Sequence, residues 1–265
     1  ASPASPGWNP AWSALSDKTA TCARLEHLER HPSWVDELGE VWTTAQEPRW
    51  ARWILKAAFS ASGTRRIQGE GPLTPEQQRW LAKNLPVVAM PFYERVADVS
   101  VHLTVGNEVT VDGITRFETE RGRFRGAWPM PWIRTFGREQ RAIHGEGDAD
   151  RAFEPALLQT GHEAGAWAQE LGYTGPLSID ALLVATPDGL RLHPWLETNA
   201  RNTLGRVALA LKAHVHPRSR AFWHVGVEVP EPTEVVLEQR RIRKGVLATT
   251  PYGSEGAGSP LLRTV

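Results

Sequence analysis

The chain has 265 residues, enough to bury a substantial core in one large domain or two small ones. Its 30 basic and 30 acidic side chains give a formal net charge of zero, so the balance points to no nucleic-acid or polyanion partner. One cysteine, Cys22, excludes an internal disulfide framework and a cysteine-based zinc site. No apolar run approaches membrane-spanning length and no signal-peptide pattern opens the chain, so a soluble, cytoplasmic protein with no membrane partner is expected.

Ala1–Ala11 is rich in Pro, Ser and Ala, and residues 1–15 read as a flexible arm. A helix is expected to start near Ser16-Asp17, capped by one of them, and to run through Leu25 and Leu28. Lys18 sits in its first turn, where a lone lysine is by default solvated. Ser33–Leu38 reads as a second short helix. Of the 12 tryptophans, Trp50 and Trp53 are expected to pack between subdomains.

Trp50–Phe59 looks like a strand with one charge in its apolar half, Lys56 among Ile54, Leu55, Ala57 and Phe59. Such a lysine needs an anionic partner or a shifted pKa. The following loop, Ser60-Ala61-Ser62-Gly63-Thr64-Arg65-Arg66, has the small residues, hydroxyls and arginines of a phosphate cradle. A lysine snorkelling from an edge strand gives the same pattern, and this segment alone does not separate the two. The P-loop pattern is absent.

Leu73–Asn84 is a helix with Thr74 as N-cap and Pro75 at its first position. Val87–Phe92 is an apolar strand. Val96–Val105 alternates, with Val99, Val101, Leu103 and Val105 on one face and Asp98, Ser100, His102 and Thr104 on the other. A turn at Gly106-Asn107 returns the chain along Glu108–Phe117. Arg121, Arg123 and Arg125 then sit on a glycine-spaced loop, Thr119–Pro131, able to hold an acidic group or to be solvated. Asp150–Leu171 is a helix closed by Gly172, and Asn202–Val215 is a helix packing behind the hairpin that precedes it. Beyond Pro217, His224–Val229 and Glu234–Glu238 are candidate strands, and Thr249–Ser259 looks loose.

That hairpin, within Leu177–Gly205, carries the densest chemistry. Ile179–Ala185 and Leu190–Thr198 are strands joined at Pro187-Asp188-Gly189. If Thr186 and Gly189 close the turn, Asp180 faces Trp195 and Ser178 faces Glu197, with Asp180 diagonal to Glu197 at about 7–8 Å. Glu197 and Asn199 share a face. Pro194 is placed to bulge the second strand and shift this register. Two carboxylates and an amide oxygen suit Mg²⁺, which takes oxygen ligands and is shared with phosphates. Arg201 follows as a phosphate partner.

Lys18 in SDKTAT, Lys56 in WILKAAFSASG, Pro91-Phe92 with Asp98 in MPFYERVADVSV, Asp180 in GPLSIDALL, and Glu197 with Asn199 in LETNAR resemble, in this order and spacing, the ATP-grasp superfamily. The resemblance covers about Ser16–Leu211. It implies an α+β fold of two subdomains, 16–90 and 91–215, clamping ATP between antiparallel sheets, with 216–265 as a C-terminal extension. It implies Lys18 and Lys56 on the phosphates and the Ser60, Ser62 and Gly63 loop closing over them. Met90, Pro91 and Phe92 would line the adenine pocket, and Asp98 would stand at the ribose-binding acid. Asp180, Glu197 and Asn199 would hold one or two Mg²⁺, with Mn²⁺ able to substitute, and Arg201 would sit at the transferred phosphate.

The activity implied is a carboxylate–amine ligase working through an acyl phosphate, with Lys56 and Arg201 catalytic and amino acids or peptides as substrates. The sequence departs from the family at two places. Met90 stands where the hinge often carries glutamate, and Ser178 where ligases of the D-alanine–D-alanine type often carry arginine. Few residues precede Lys18, where such enzymes usually have a further domain, so either that domain lies outside this sequence or a partner domain or second copy supplies its part of the substrate site. A non-catalytic nucleotide-binding module, or a phosphotransferase on the same fold, is the rival reading.

Overall fold

The computed structural model describes residues 9–60, 65–120, 123–129, 135, 148–225, 233–248 and 261–264. The chain opens on a 3-10 turn, Pro10–Trp12, then α1 (Ser13–Ser16) and α2 (Lys18–Glu26). The arm expected over residues 1–15 is therefore helical from Pro10, and Leu15 is fully buried in the main core. Asp17 caps α2, its carboxylate accepting from Thr19 N at 2.8 Å. The helix expected over Ser33–Leu38 does not form. Trp34 instead bridges Leu192, and Val35 N donates to Leu192 O, so this stretch is an extended strap.

A small antiparallel sheet has the order β1-β4-β2-β3, from β1 (Glu40–Trp42), β2 (Arg52–Ala57), β3 (Arg66–Glu70) and β4 (Val87–Pro91). Between β3 and β4 runs α3 (Pro75–Asn84), with Thr74 and Gln77 forming a reciprocal capping box. The strand alternation of β2 puts Trp53 and Leu55 into a core with Trp42, Leu73, Leu81, Val87 and Ala89. Lys56 is thereby turned to the opposite face. Trp50 and Trp53 pack within this small core rather than between subdomains.

A large antiparallel sheet has the order β13-β14-β10-β7-β6-β5-β8-β9. Its members are β5 (Glu94–Val105), β6 (Val109–Glu120), β7 (Arg123–Ala127), β8 (Gly175–Thr186), β9 (Gly189–Asn199), β10 (Ala221–His224), β13 (Val246–Ala248) and β14 (Leu261–Thr264). β11 (Val236–Glu238) and β12 (Arg241–Lys244) form a separate hairpin. One face of the sheet carries α4 (Asp148–Glu170) over the core of Val99, Val101, Leu103, Leu177 and Ile179. Gly172, at φ +69, ends that helix in the left-handed conformation expected of it. The other face carries α5 (Leu204–Leu211), shorter than expected, and α5 packs across β5–β7 rather than behind the β8–β9 hairpin.

The sheets do not divide the chain at one point. Leu15, Leu25 and Trp34 pack into the large core although they precede the small sheet. Strands beyond residue 216 complete the large sheet instead of extending from it. Of the late strands expected, β10 ends at His224, β11 falls within Glu234–Glu238, and Thr249–Ser259 lies outside the described residues. Among the described residues no helix is long and apolar enough to cross a membrane.

Candidate functional site

The two sheets face each other across a cleft of about 390 Å³. Lys18, Lys56, Ser60 and Arg66 come from the small-sheet side and α2. Arg95, Asp98, Ser100, Asp180, Glu197, Asn199 and Arg201 come from the large sheet and its exit. The cleft therefore gathers every motif residue that the resemblance placed on phosphate, ribose or metal within the described part of the chain, save the hinge. Ser62 and Gly63 lie outside the described residues, as does Arg121.

Register explains the centre. Thr186 pairs with Gly189 as expected, but the count breaks at Pro194: Leu182 pairs with His193 while Asp180 pairs with Glu197. Ala181 alone opposes Pro194, Trp195 and Leu196. The expected pairings of Asp180 with Trp195 and of Ser178 with Glu197 are overturned. Asp180 lies directly opposite Glu197, and Ser178 opposite Asn199.

Two carboxylates so close cannot both ionise freely. Burial first, and Glu197 second, push the Asp180 carboxyl up to about 7, against hydrogen bonds from Ser100 and Asn199. Burial would also raise Glu197, but the ammonium groups of Lys18 and Lys56 outweigh it and hold Glu197 below the usual range. Lys18 Nζ lies 2.8 Å from Glu197 Oε2 and donates to Ser60 O at 3.2 Å. It is 8% exposed, so the default reading of a solvated lysine fails here. Desolvation lowers Lys56 to about 8, with Glu197 partly restoring it. Asp98 is bound by Arg95 at 3.0 Å, and burial raises its pKa despite that partner.

Other expected positions fall elsewhere. Met90 is 3% exposed and sits behind the cleft, around a small void shared with Lys56, His193 and Leu196. Pro91 ends β4, and Phe92 covers the Arg52 guanidinium at 4.8 Å while its N–H donates to Arg52 O. Thr119–Pro131 is not a loop throughout: Arg123 and Arg125 lie in β7, flanking Phe124, and strand alternation turns them away from the cleft that Phe124 lines. Arg66, expected in the phosphate cradle, lines the cleft, whereas sequence reasoning missed Arg95 as a cleft cation and Phe117, Phe124 and Leu204 as its apolar end. None of these four carried a local signal, since β5, β6, β7 and α5 meet at the cleft only through the sheet order.

No family model matches the sequence, and no curated protein does. Solved structures do. An L-amino acid ligase from Bacillus licheniformis is similar over 98% of this chain and 69% of its own, at 13% identity and a TM-score of 0.52. A biotin carboxylase–β,γ-ATP complex from Campylobacter jejuni is similar over 96% of this chain and 64% of its own, at 11% identity and a TM-score of 0.54. A Rhizobium etli pyruvate carboxylase gives 96% and 26%, at 10% identity and a TM-score of 0.55. The chain has the ATP-grasp fold. It spans only part of each of these relatives.

The cleft offers oxygen donors of the kind a hard cation takes. Among the described residues no three His, Cys, Asp or Glu converge, so the donor set is the Asp180–Glu197 pair and the Asn199 amide. Asn199 Nδ2 donates to Asp180 Oδ2 at 3.1 Å, and its Oδ1 accepts from Arg201 at 3.0 Å. The amide oxygen expected between the carboxylates is thus turned toward Arg201. A half-turn of that amide would aim it back. The two carboxylates suffice for Mg²⁺, which is commonly held by one or two carboxylates plus substrate phosphates.

Proposed function

We propose that the chain carries the catalytic core of an ATP-dependent carboxylate–amine ligase. The observation that carries this reading is the charge arrangement in one cleft: Lys18, Lys56, Arg66, Arg95 and Arg201 around the cross-strand pair Asp180 and Glu197. The names of the similar structures, an amino acid ligase and a carboxylase–ATP complex, support it.

Asp180 and Glu197, with Asn199 turned, are the residues to hold Mg²⁺, which when bound supplies charge neutralisation at the β- and γ-phosphates; Mn²⁺ is expected to substitute. Lys18 then leaves Glu197 for a phosphate oxygen. Lys56 and Arg201 offset charge as a substrate carboxylate oxygen attacks the γ-phosphorus. The bond to the β-bridging oxygen breaks, ADP leaves and an acyl phosphate forms. An amine nitrogen attacks the acyl carbon, its proton passes to solvent, and the C–O bond to phosphate breaks to leave an amide and inorganic phosphate. No side-chain nucleophile is required. The Cys22 thiol, pushed up to about 12 chiefly by burial, supplies none. Asp98 is assigned to the ribose, and the backbone at Met90–Phe92 to the base.

Nucleotide turnover tests the reading. ADP release that needs both a carboxylate and an amine identifies a ligase. A phosphorylated acid accumulating without amine identifies a phosphotransferase. Mg-ATP binding without turnover under any combination identifies a non-catalytic module.

A further inference from the structure

The ion-lined end of the cleft is accounted for by α2, β2, β8 and β9. Its other end is apolar. Phe117 on β6 and Phe124 on β7 stack with ring centroids 6.0 Å apart and planes 23° apart. Both line the cleft beside Leu204, the first residue of α5. Their far sides rest on the core of Ala127, Ala208 and Trp223, with Phe124 edge-on to Trp223 at 6.5 Å. The rings are held from behind and open in front. Leu204, 42% exposed, faces the same space. A preformed apolar wall beside convergent polar groups is the make-up of a small-molecule site.

Distance fits a substrate. In the order β6-β5-β8, Phe117 is level with Asp98 and Leu182, so it lies two strand spacings across and two residues along from Asp180, about 12 Å between Cα atoms. The Phe117 ring and the Asp180 carboxylate narrow that gap from both ends, leaving a span that suits an amino acid whose carboxyl end lies at the ion cluster and whose side chain points along the sheet. Between them Arg95 is fixed by Asp98 and Thr119, both at 3.0 Å, so the polar middle of the cleft is already organised.

We propose that Phe117, Phe124 and Leu204 form the side-chain subsite for an amino acid substrate bearing a large apolar group, aromatic or branched aliphatic. This rests on the ligase reading and gives it a substrate class.

Calorimetry with L-phenylalanine, L-leucine, L-alanine and L-aspartate, in the presence of Mg²⁺ and a non-hydrolysable ATP analogue, reads the subsite without turnover. The first two should bind roughly tenfold or more tighter than the last two. Phe124→Ala should erase that preference and leave the nucleotide dissociation constant unchanged, while Phe124→Leu, which keeps apolar volume, should retain most of it. Equal affinity for all four, or binding of none, overturns the proposal. So does a Phe124→Ala variant that weakens the nucleotide instead, since the rings would then hold adenine. Selective binding of L-phenylalanine with no ADP release beside any amine would sink the ligase reading and leave the subsite. ADP release with polar acids alone would do the reverse.

Discussion

His102 tests the packing under the cleft. Its imidazole is fully buried, hydrogen-bonded through Nε2 to Thr115 Oγ1 at 2.8 Å and pressed against Gly205 at the start of α5. Burial lowers its pKa from 6.5 to about 4, Arg206 adding to the effect and Asp112 opposing it. The folded value lies below the unfolded one, so the unfolded chain binds protons first as pH falls. The stability due to a neutral His102 is complete above pH 6.5 and lost on the way to pH 4. Between pH 7.5 and 5.0 the loss is about 2 kcal/mol by linkage. His193, bonded through Nε2 to Leu38 O and lowered to about 3 mainly by burial, adds about 2 kcal/mol in the same direction. Asp180 opposes them: raised to about 7 by burial and by Glu197, it gains protons in the folded state over the same interval and offsets part of that loss. The wild-type profile therefore mixes opposing titrations and does not isolate His102. A comparison with His102→Gln does. Urea unfolding of both proteins at pH 7.5 and 5.0 should show their stability gap narrowing by about 2 kcal/mol. A gap constant to within about 0.5 kcal/mol would refute the neutral, buried imidazole.

Three further outcomes are expected. Lys56→Ala should weaken Mg-ATP binding about tenfold or more, roughly 1.4 kcal/mol, by calorimetry, and an unchanged dissociation constant removes Lys56 from the phosphate site. Glu197→Gln removes the partner 2.8 Å from Lys18 and should abolish metal-dependent turnover with the circular dichroism spectrum intact; turnover at the wild-type rate would take Glu197 out of the metal set. At Gly126 an added Cβ would stand 2.2 Å from Trp223 O, so Gly126→Ala must part β7 from β10. It should cost about 2 kcal/mol or more, and an unaltered Tm would show that the contact is not tight.

The fold was legible where periodicity and caps are local. Val99, Val101, Leu103 and Val105 announce β5 by alternation, and Thr74-Pro75 and Gly172 mark helix ends by backbone chemistry. The strap at Trp34 was not legible. Its short apolar run suits a helix until β9 offers Leu192 as a bridging partner, a long-range fact. The same holds for Arg123 and Arg125. Glycine spacing reads as a turn, yet β6 and β10 on either side draw the segment into the sheet. The face of β5 that carries Asp98, Ser100 and His102 reads as solvated from alternation alone. It is buried because α5 and the small sheet's cleft cover it, and neither is local to β5.

The decisive case is the bulge at Pro194. A two-stranded register counted back from Thr186 and Gly189 sets Asp180 against Trp195, and the carboxylates meet only on a diagonal. Proline cannot donate to the ladder, and the strand resolves this by opposing Pro194, Trp195 and Leu196 to Ala181 alone. Two residues are absorbed, an even number, so every side chain beyond the bulge keeps its face while advancing along the partner strand. Glu197 and Asn199 thus stay on the cleft side and arrive opposite Asp180 and Ser178. An uneven slip would have buried Glu197 in the core. The electrostatics follow from this step: Asp180 is pushed to about 7 by burial and then by Glu197, and Lys18 is drawn in to balance the pair. The proline that disrupts the strand is therefore what brings the two carboxylates face to face, and the sequence shows the proline without showing how many residues the bulge takes up.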